Sequence, residues 1–408
     1  MITKFGCKNI KAIRTFTKID IKPITIIMGE NSSGKSSLLQ ALSLLYVNTI
    51  FGQTIQKIKY NNPFSHFGDN NSFKNKGEDI ELYFEIDDKD TKLLLIYKDD
   101  EDNSEYGILK SIKIDNDDMT YTFILNDLGS YDISIETIKN SEYDFFIDLN
   151  MSASSKLNAI MYMDDTKEHY NISEILFTPI DLLTNQLQSI RHVGKLKDIK
   201  ATYDYPNDYI GYFGEKYKDI AKNLSSKLYI NKAIKNIFHY EIKKIDKDTG
   251  EFYLSDEKIK KNLSLNMFGS SVSSTMPILT QYARNREKDI KDKYRLTIIE
   301  EPEINEHPMS QAKLVESLFP KNRPKQHFNI IETHSEHIVN KLRYMVYKKE
   351  LKSNDVVIYY KIKESNEFIN IGIDKKGFFV NNKGKYKFPK GFYDATLEEI
   401  FEIETNNL

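Results

Sequence analysis

The sequence predicts an α/β fold, a mixed central sheet flanked by helices. Three short stretches carry that reading. Residues 24–28 are an apolar run that ends in a Gly-rich loop and opens into a helical pattern. Residues 296–299 and 329–331 are two more apolar runs of strand length, and each ends abruptly in polar residues.

The first stretch reads ITIIMGENSSGKSSLLQALSLL. It holds the spacing G-x-x-x-x-G-K-[ST], with a strand before it and a helix after it, the context a phosphate-binding loop requires. Gly29 and Gly34 permit a backbone path that turns successive N–H groups inward, and Asn31, Ser32 and Ser33 lie between them. The helix that follows points its positive N-terminus at the same anion. Lys35 adds a point charge for the β- and γ-phosphates. The Ser36 hydroxyl is placed to ligate Mg²⁺, with Ser37 beside it. Leu38, Leu39, Leu42 and Leu45 recur at helical spacing, as a face that packs on a sheet. These residues imply ATP and Mg²⁺ as the groups bound.

The second run ends in Glu300-Glu301, which reads as a Walker B strand. The first acid would hold the Mg²⁺ shell, and the second would orient or deprotonate the attacking water. Two adjacent acids at a strand end otherwise mark a solvated turn. The third run ends in Thr333-His334-Ser335, where His334 can donate to a γ-phosphate. Between the loop and these strands lies MFGSSVSSTMPI, residues 267–278, a run of small and hydroxyl residues ahead of a helical stretch with Ile278, Leu279 and Tyr282. Ser271 and Ser273 would present donors to a phosphate across a dimer interface. The alternative is an ordinary helix start in which serines act as N-caps.

Taken together, the chain resembles the ABC-type ATPase heads of the SMC, RecF and overcoming-lysogenization-defect group. It is most similar to AAA-family ATPases of bacterial anti-phage defence operons, such as the ATPase subunits of the PARIS and Septu systems. The resemblance implies an ABC-type P-loop NTPase head split by a β-rich and then helical insertion. It carries Lys35 and Ser36 onto phosphate and Mg²⁺, Glu300 onto Mg²⁺, Glu301 onto the catalytic acid and His334 onto the switch histidine. Arg191-His192-Val193-Gly194, Gly211-Tyr212-Phe213-Gly214-Glu215 and the tail Pro389-x-Gly391-Phe392-Tyr393-Asp394 resemble further blocks that carry no known chemistry. Three positions depart from the pattern. Ser271 and Ser274 stand where a second glycine and a Ser-Gln pair are usual. Glu306 precedes His307-Pro308 where leucine is usual, and Gly194-Lys195-Leu196-Lys197 replaces Gly-Pro-x-Arg. The departures point to slow or partner-dependent hydrolysis. A glutamine lid, sought near Asn70, has no clear counterpart.

Along the chain, residues 1–110 read as an N-terminal lobe, 111–264 as the insertion and 265–408 as a C-terminal lobe. Residues 80–86 and 93–97 alternate like antiparallel strands, residues 108–150 continue as β-structure, and residues 215–238 look helical with Ile220, Ala221, Leu224, Leu228, Ala233 and Ile237 near one face. No heptad runs long enough for a coiled-coil arm. The Lys-rich pieces 232–244 and 258–261 read as solvated faces, with a phosphate backbone as the alternative partner. The paired acids Asp117-Asp118 and Asp164-Asp165 lie among turn formers and read as surface.

Composition narrows the class. The 408 residues allow about two or three domains. A net charge of −2 gives no global basic field to attract nucleic acid. The single cysteine, Cys7, excludes an intramolecular disulfide, fits a reducing cytosol and is expected half-buried in the first strand. No segment reaches the roughly 20 apolar residues of a membrane span, and no signal-peptide pattern opens the chain. The expected setting is therefore cytoplasmic. No second acidic cluster follows His334, and no zinc or His-Asn-His pattern is present. The expected partners are further copies of the chain, as a dimer or ring, and a separate effector, a nuclease encoded nearby, with DNA or a phage protein as trigger. Two competing readings are a DNA-clamping repair ATPase and an assembly scaffold that turns over little ATP.

Overall fold

The computed structural model describes residues 1–50, 55–62, 67, 73–74, 77–86, 91–115, 119–125, 131–137, 142–145, 172–194, 205–225, 227–256, 261–363, 365, 367–381, 384–385 and 388. Asn70, Asp117-Asp118, Asp164-Asp165, residues 195–197, 258–260 and the tail at 389–394 lie outside the described residues.

Along the chain run β1 (Ile2–Lys8), β2 (Thr17–Asp20), β3 (Ile24–Gly29) and α1 (Lys35–Ile50). Then come β4 (Lys57–Lys59), β5 (Ile80–Ile86), β6 (Thr91–Asp99), β7 (Tyr106–Asp115), β8 (Met119–Leu125), β9 (Tyr131–Thr137) and β10 (Glu142–Phe145). They are followed by α2 (Ile172–Gln188), β11 (Ile190–Val193), α3 (Tyr217–Asn223), α4 (Lys227–Phe238), β12 (Tyr240–Ile245), β13 (Phe252–Asp256) and β14 (Leu263–Ser264). The remainder is α5 (Ser270–Asn285), β15 (Arg295–Glu300), α6 (Pro308–Leu318), β16 (His327–Glu332), α7 (Glu336–Tyr347), β17 (Val356–Lys361), β18 (Phe368–Ile373), β19 (Phe379–Asn381) and β20 (Gly384–Lys385).

Two compact units divide the chain. Met1–Ile21, Glu30–Ile190 and Ile362–Phe368 form one; Lys22–Gly29, Arg191–Lys361 and Ile369–Leu408 form the other. The boundaries read at 110 and 264 differ from these. Position 110 lies inside β7, and the sheet continues without interruption through β8, β9 and β10. The alternation that marks β5 and β6 simply carries on, so nothing local signals an edge.

The first unit is built on an antiparallel sheet ordered β10-β9-β8-β7-β6-β5-β1-β2, with β4 added on β7. β5 and β6 alternate buried and part-exposed residues, because an antiparallel sheet buries one face and wets the other. Cys7 is fully buried in β1, more so than the sequence suggested. α1 differs from the expected single apolar face. Leu38, Leu39, Leu42 and Leu45 are buried, and so are Ala41, Leu44, Tyr46 and Val47. A helix apolar on every side is one packed on every side.

The second unit is built on a sheet ordered β11-β15-β16-β3-β17-β18-β19-β20. β15, β16, β3 and β17 run parallel, and every residue in them is buried. That is why the three apolar runs of the sequence lack alternation. The register aligns Glu300 with Glu332 and Glu332 with Ile27, while Lys361 aligns with Gly29. The carboxyl ends of four strands thus share one edge, where ligands bind in open α/β sheets.

The helical stretch 215–238 is two helices. Leu224 is extended (φ −67°, ψ 128°) and separates α3 from α4. The break shifts the helical phase, and Leu228, expected on the buried face, is 65% exposed. Among the described residues, no helix is long and apolar enough to cross a membrane.

Candidate functional site: a phosphate loop and a carboxylate cluster

The phosphate loop starts where β3 ends. Gly29 has φ +143°, Ser32 φ +61° and Gly34 φ +106°. Alternation into left-handed backbone is what turns consecutive N–H groups toward one point. A side chain at Gly29 would also meet the Lys361 carbonyl at 2.1 Å, so β17 leaves room for hydrogen only. Lys35 is buried, and its ammonium donates to the Glu30 carbonyl at 2.6 Å. Glu30 in turn accepts from the Lys363 N–H at 3.2 Å. Asn31 and Ser32 are exposed, Ser36 is half-buried, and Ser33 and Ser37 are buried.

Four carboxylates follow one another at the end of β15, and each has different partners. Glu300 is 8% exposed. Its Oε1 accepts from His192 Nε2 at 2.8 Å and from the Tyr212 hydroxyl at 3.0 Å. An ionised carboxylate only accepts, so Nε2 carries the proton in this pairing. Burial, and then the charge of Glu300, push the Tyr212 hydroxyl well above its ordinary range, so it stays a donor. Glu301 sits at φ +46°, unusual for a residue with a side chain, and its N–H donates to the Glu332 carbonyl at 2.7 Å. Its carboxylate lies 3.8 Å from His334 Nε2. Glu303 accepts from the Thr333 hydroxyl at 2.8 Å and the His334 N–H at 2.6 Å, while burial pushes its pKa up. Glu306 accepts from Ser271 Oγ at 2.7 Å and Thr275 Oγ1 at 2.5 Å, and burial raises it as well.

Beneath the cluster, Asp208 bridges Arg191 (2.5 Å) and Arg295 (2.6 Å), tying β11 to the start of β15. Burial alone would raise the Asp208 carboxyl, but the two guanidiniums outweigh it and hold it low. Gln281 continues this network to the Ile210 N–H, the Asp208 carbonyl and Asn285.

A model of the family described as “AAA domain, putative AbiEii toxin, Type IV TA system” matches residues 24–340. That span starts at β3, passes through both glutamates and includes His334. The chain belongs to this AAA family. Among curated proteins, the Endonuclease GajA of Bacillus cereus (strain VD045) is 24% identical over 362 residues. The match covers 82% of this chain and 56% of that relative, so the chain spans little more than half the relative's length. Among solved structures, an SMC head domain from Thermotoga maritima matches with a TM-score of 0.40 at 10% identity, covering 91% of this chain and 99% of that one. An SMC head bound to the C-winged helix domain of ScpA matches with a TM-score of 0.39 at 13% identity, covering 91% and 97%.

In this AAA chain, the structure brings Glu300, Glu301 and His334 together at one sheet edge, with Glu301 and His334 side by side. It departs from the helix-start alternative for the serine segment. α5 begins at Ser270, with Gly269 as its N-cap and no side-chain cap, and it runs on through Pro277. The serines are therefore inside the helix, not capping it. Ser271 is held by Glu306, and Ser273 is half-buried. Sequence reasoning missed His192, Tyr212, Glu303 and Glu306. The first two stood in blocks noted for resemblance alone, and Glu306 was noted as a departure. Among the described residues, no group of three or more His, Cys, Asp or Glu could hold a metal by itself. This donor set fits Mg²⁺, which takes one or two protein ligands and completes its shell with phosphate and water.

Proposed function

We propose that the chain is an ATP-binding and ATP-hydrolysing subunit of a bacterial anti-phage defence complex. The observation that carries it is the left-handed backbone at Gly29, Ser32 and Gly34 leading directly into α1. In this reading Asn31, Ser32, Ser33, Gly34 and Ser37 surround the phosphates with N–H and O–H donors. Lys35 leaves the Glu30 carbonyl for the β- and γ-phosphates. Ser36 and Glu300 hold Mg²⁺, which when bound neutralises the charge that develops on the transferred phosphoryl group. Glu301 orients and deprotonates the water, and His334 donates to the γ-phosphate. Ser271 and Ser273 of one copy face the nucleotide of another, so ATP drives association of heads as a dimer or ring. Association then controls a separate effector, a nuclease, after a DNA or phage-protein trigger. The defence assignment rests on the resemblance to defence ATPases and on the likeness to GajA. The chain acts in the cytoplasm.

A second reading, an assembly that binds ATP and turns it over little, is favoured by the Ser271 hydroxyl lying on Glu306 rather than open to a partner.

Light scattering with ATP and Mg²⁺, beside phosphate release, separates the two. Under the first reading, Glu301→Gln locks the ATP-driven assembly and abolishes release, and Lys35→Ala loses both assembly and plaque protection. Unchanged protection by Lys35→Ala would remove the ATP site from function. An assembly size indifferent to nucleotide and to Glu301→Gln would favour the scaffold.

A further inference from the structure

We propose that His192 and Tyr212 are positioning residues for the metal-holding carboxylate of Glu300. The inference rests on the nucleotide reading above and adds to it a requirement from outside the phosphate-loop and Walker motifs.

A glutamate at a strand end ordinarily rotates freely about its last bond. Here both donors converge on one oxygen, Oε1, from two different segments. His192 comes from β11, and it is 1% exposed. Its carbonyl accepts from the Tyr209 hydroxyl, which anchors the strand to the loop 205–215. Tyr212 comes from that loop. Its ring stands edge-on to His192 with centroids 4.9 Å apart at 89°. The Gly194 N–H donates to the Tyr212 carbonyl at 2.8 Å, and a Cβ at Gly194 would fall 2.1 Å from the ring. The ring therefore lies flat on bare backbone, and its hydroxyl has little freedom to leave Glu300. Hydrogen bonds to a charged group are stronger than those between neutral groups. Fixing one carboxylate oxygen in this way sets the direction of the other. Partners that orient metal ligands typically alter metal affinity about 10–100-fold when removed.

The contacts run through His192 and Gly194, and the sequence departs from Gly-Pro-x-Arg only from Lys195 onward. That accounts for a block with no chemistry of its own on the chain: it acts through Glu300.

The test uses the full chain loaded with ADP and titrated with Mn²⁺, followed by loss of the free-ion paramagnetic signal. ADP affinity in EDTA and the melting temperature are read alongside. Tyr212→Phe keeps the ring and removes the donor. It should raise the half-saturating Mn²⁺ concentration about tenfold while ADP affinity in EDTA and the melt stay at wild-type values. His192→Ala should raise it by about 10–100-fold, and His192→Gln, which restores an N–H at the same reach, should recover most of the loss. Wild-type Mn²⁺ affinity in a folded Tyr212→Phe chain overturns the proposal. So does His192→Gln behaving like His192→Ala, because the role is then packing. If the wild-type chain binds no ADP in EDTA, the nucleotide reading itself fails, and that outcome is distinct from a loss confined to the metal.

Discussion

Asp208 gives the sharpest measure of how firmly β11 is tied to β15. Arg191 and Arg295 are each 5% exposed at the side chain, and Asp208 is 17% exposed and bonded to both. Asp208→Asn keeps the shape and removes a charge that compensates two buried guanidiniums. Breaking a buried ion pair from one side costs about 3–5 kcal/mol, most of it the desolvated charge left behind. For a unit of about 200 residues, each kcal/mol lowers the melting temperature by about 2–4 °C. The expected drop is therefore about 6–20 °C, read by calorimetry on the unit's transition. The pH dependence has a definite sign. The folded-state pKa of Asp208 lies below its ordinary 3.8, so its contribution is fully present above 3.8 and fades as pH falls through the folded value. The gap between wild type and variant should then be constant from about pH 5 to 8. Adding Arg295→Met to Asp208→Asn should recover part of the loss, since one stranded charge is gone. A single variant that melts within about 1 °C of wild type would refute the reasoning, because the aspartate would then compensate nothing.

Two further outcomes concern the carboxyl ends of the strands. Gly194→Ala drives a methyl to 2.1 Å from the Tyr212 ring while the Gly194 N–H stays tied to the Tyr212 carbonyl. Overpacking of this kind costs about 1–3 kcal/mol, so the melting temperature should fall by several degrees and phosphate release should fall with it; an unchanged melt would show that the ring moves aside freely. Burial raises the folded-state pKa of Glu303 above its ordinary 4.5, so its charge opposes folding increasingly as pH rises from 4.5 through the folded value. Glu303→Gln preserves an acceptor for the His334 N–H and removes that charge, so its stability relative to wild type should rise with pH across that window, and a pH-independent difference in thermal melts would contradict this.

The phosphate loop, the Glu300-Glu301 strand and the His334 strand were legible because each is determined locally. Glycine is readable where φ must be positive, and a continuous apolar run is readable where both faces of a strand are covered. The partners of these residues were not legible for the opposite reason. His192 lies 108 residues from Glu300, Tyr212 lies 88, and Glu306 lies 31 and 35 from the hydroxyls it accepts from. No periodicity connects such positions; only the pairing of β11, β15 and β16 does. The run of the sheet past position 110 was hidden on the same ground, since β7 continues an alternation whose end is set by which strand pairs next.

The same contrast sorts the four acids of 300–306. By sequence they are one acidic turn, and by partner they do separate jobs. Glu300 meets His192 and Tyr212, from the strand and loop before it, on a single oxygen, a setting that orients the carboxylate. Glu301 has its N–H fixed to β16 and its carboxylate beside the His334 imidazole. Glu303 and Glu306 are spent on hydroxyls and a backbone N–H of neighbouring segments, and burial raises both. Those two therefore connect the carboxylate strand to the His334 loop and to the start of α5. The residue that looked like a departure from the family pattern, Glu306 before His307, is thus the one through which Ser271 is joined to the turn after β15.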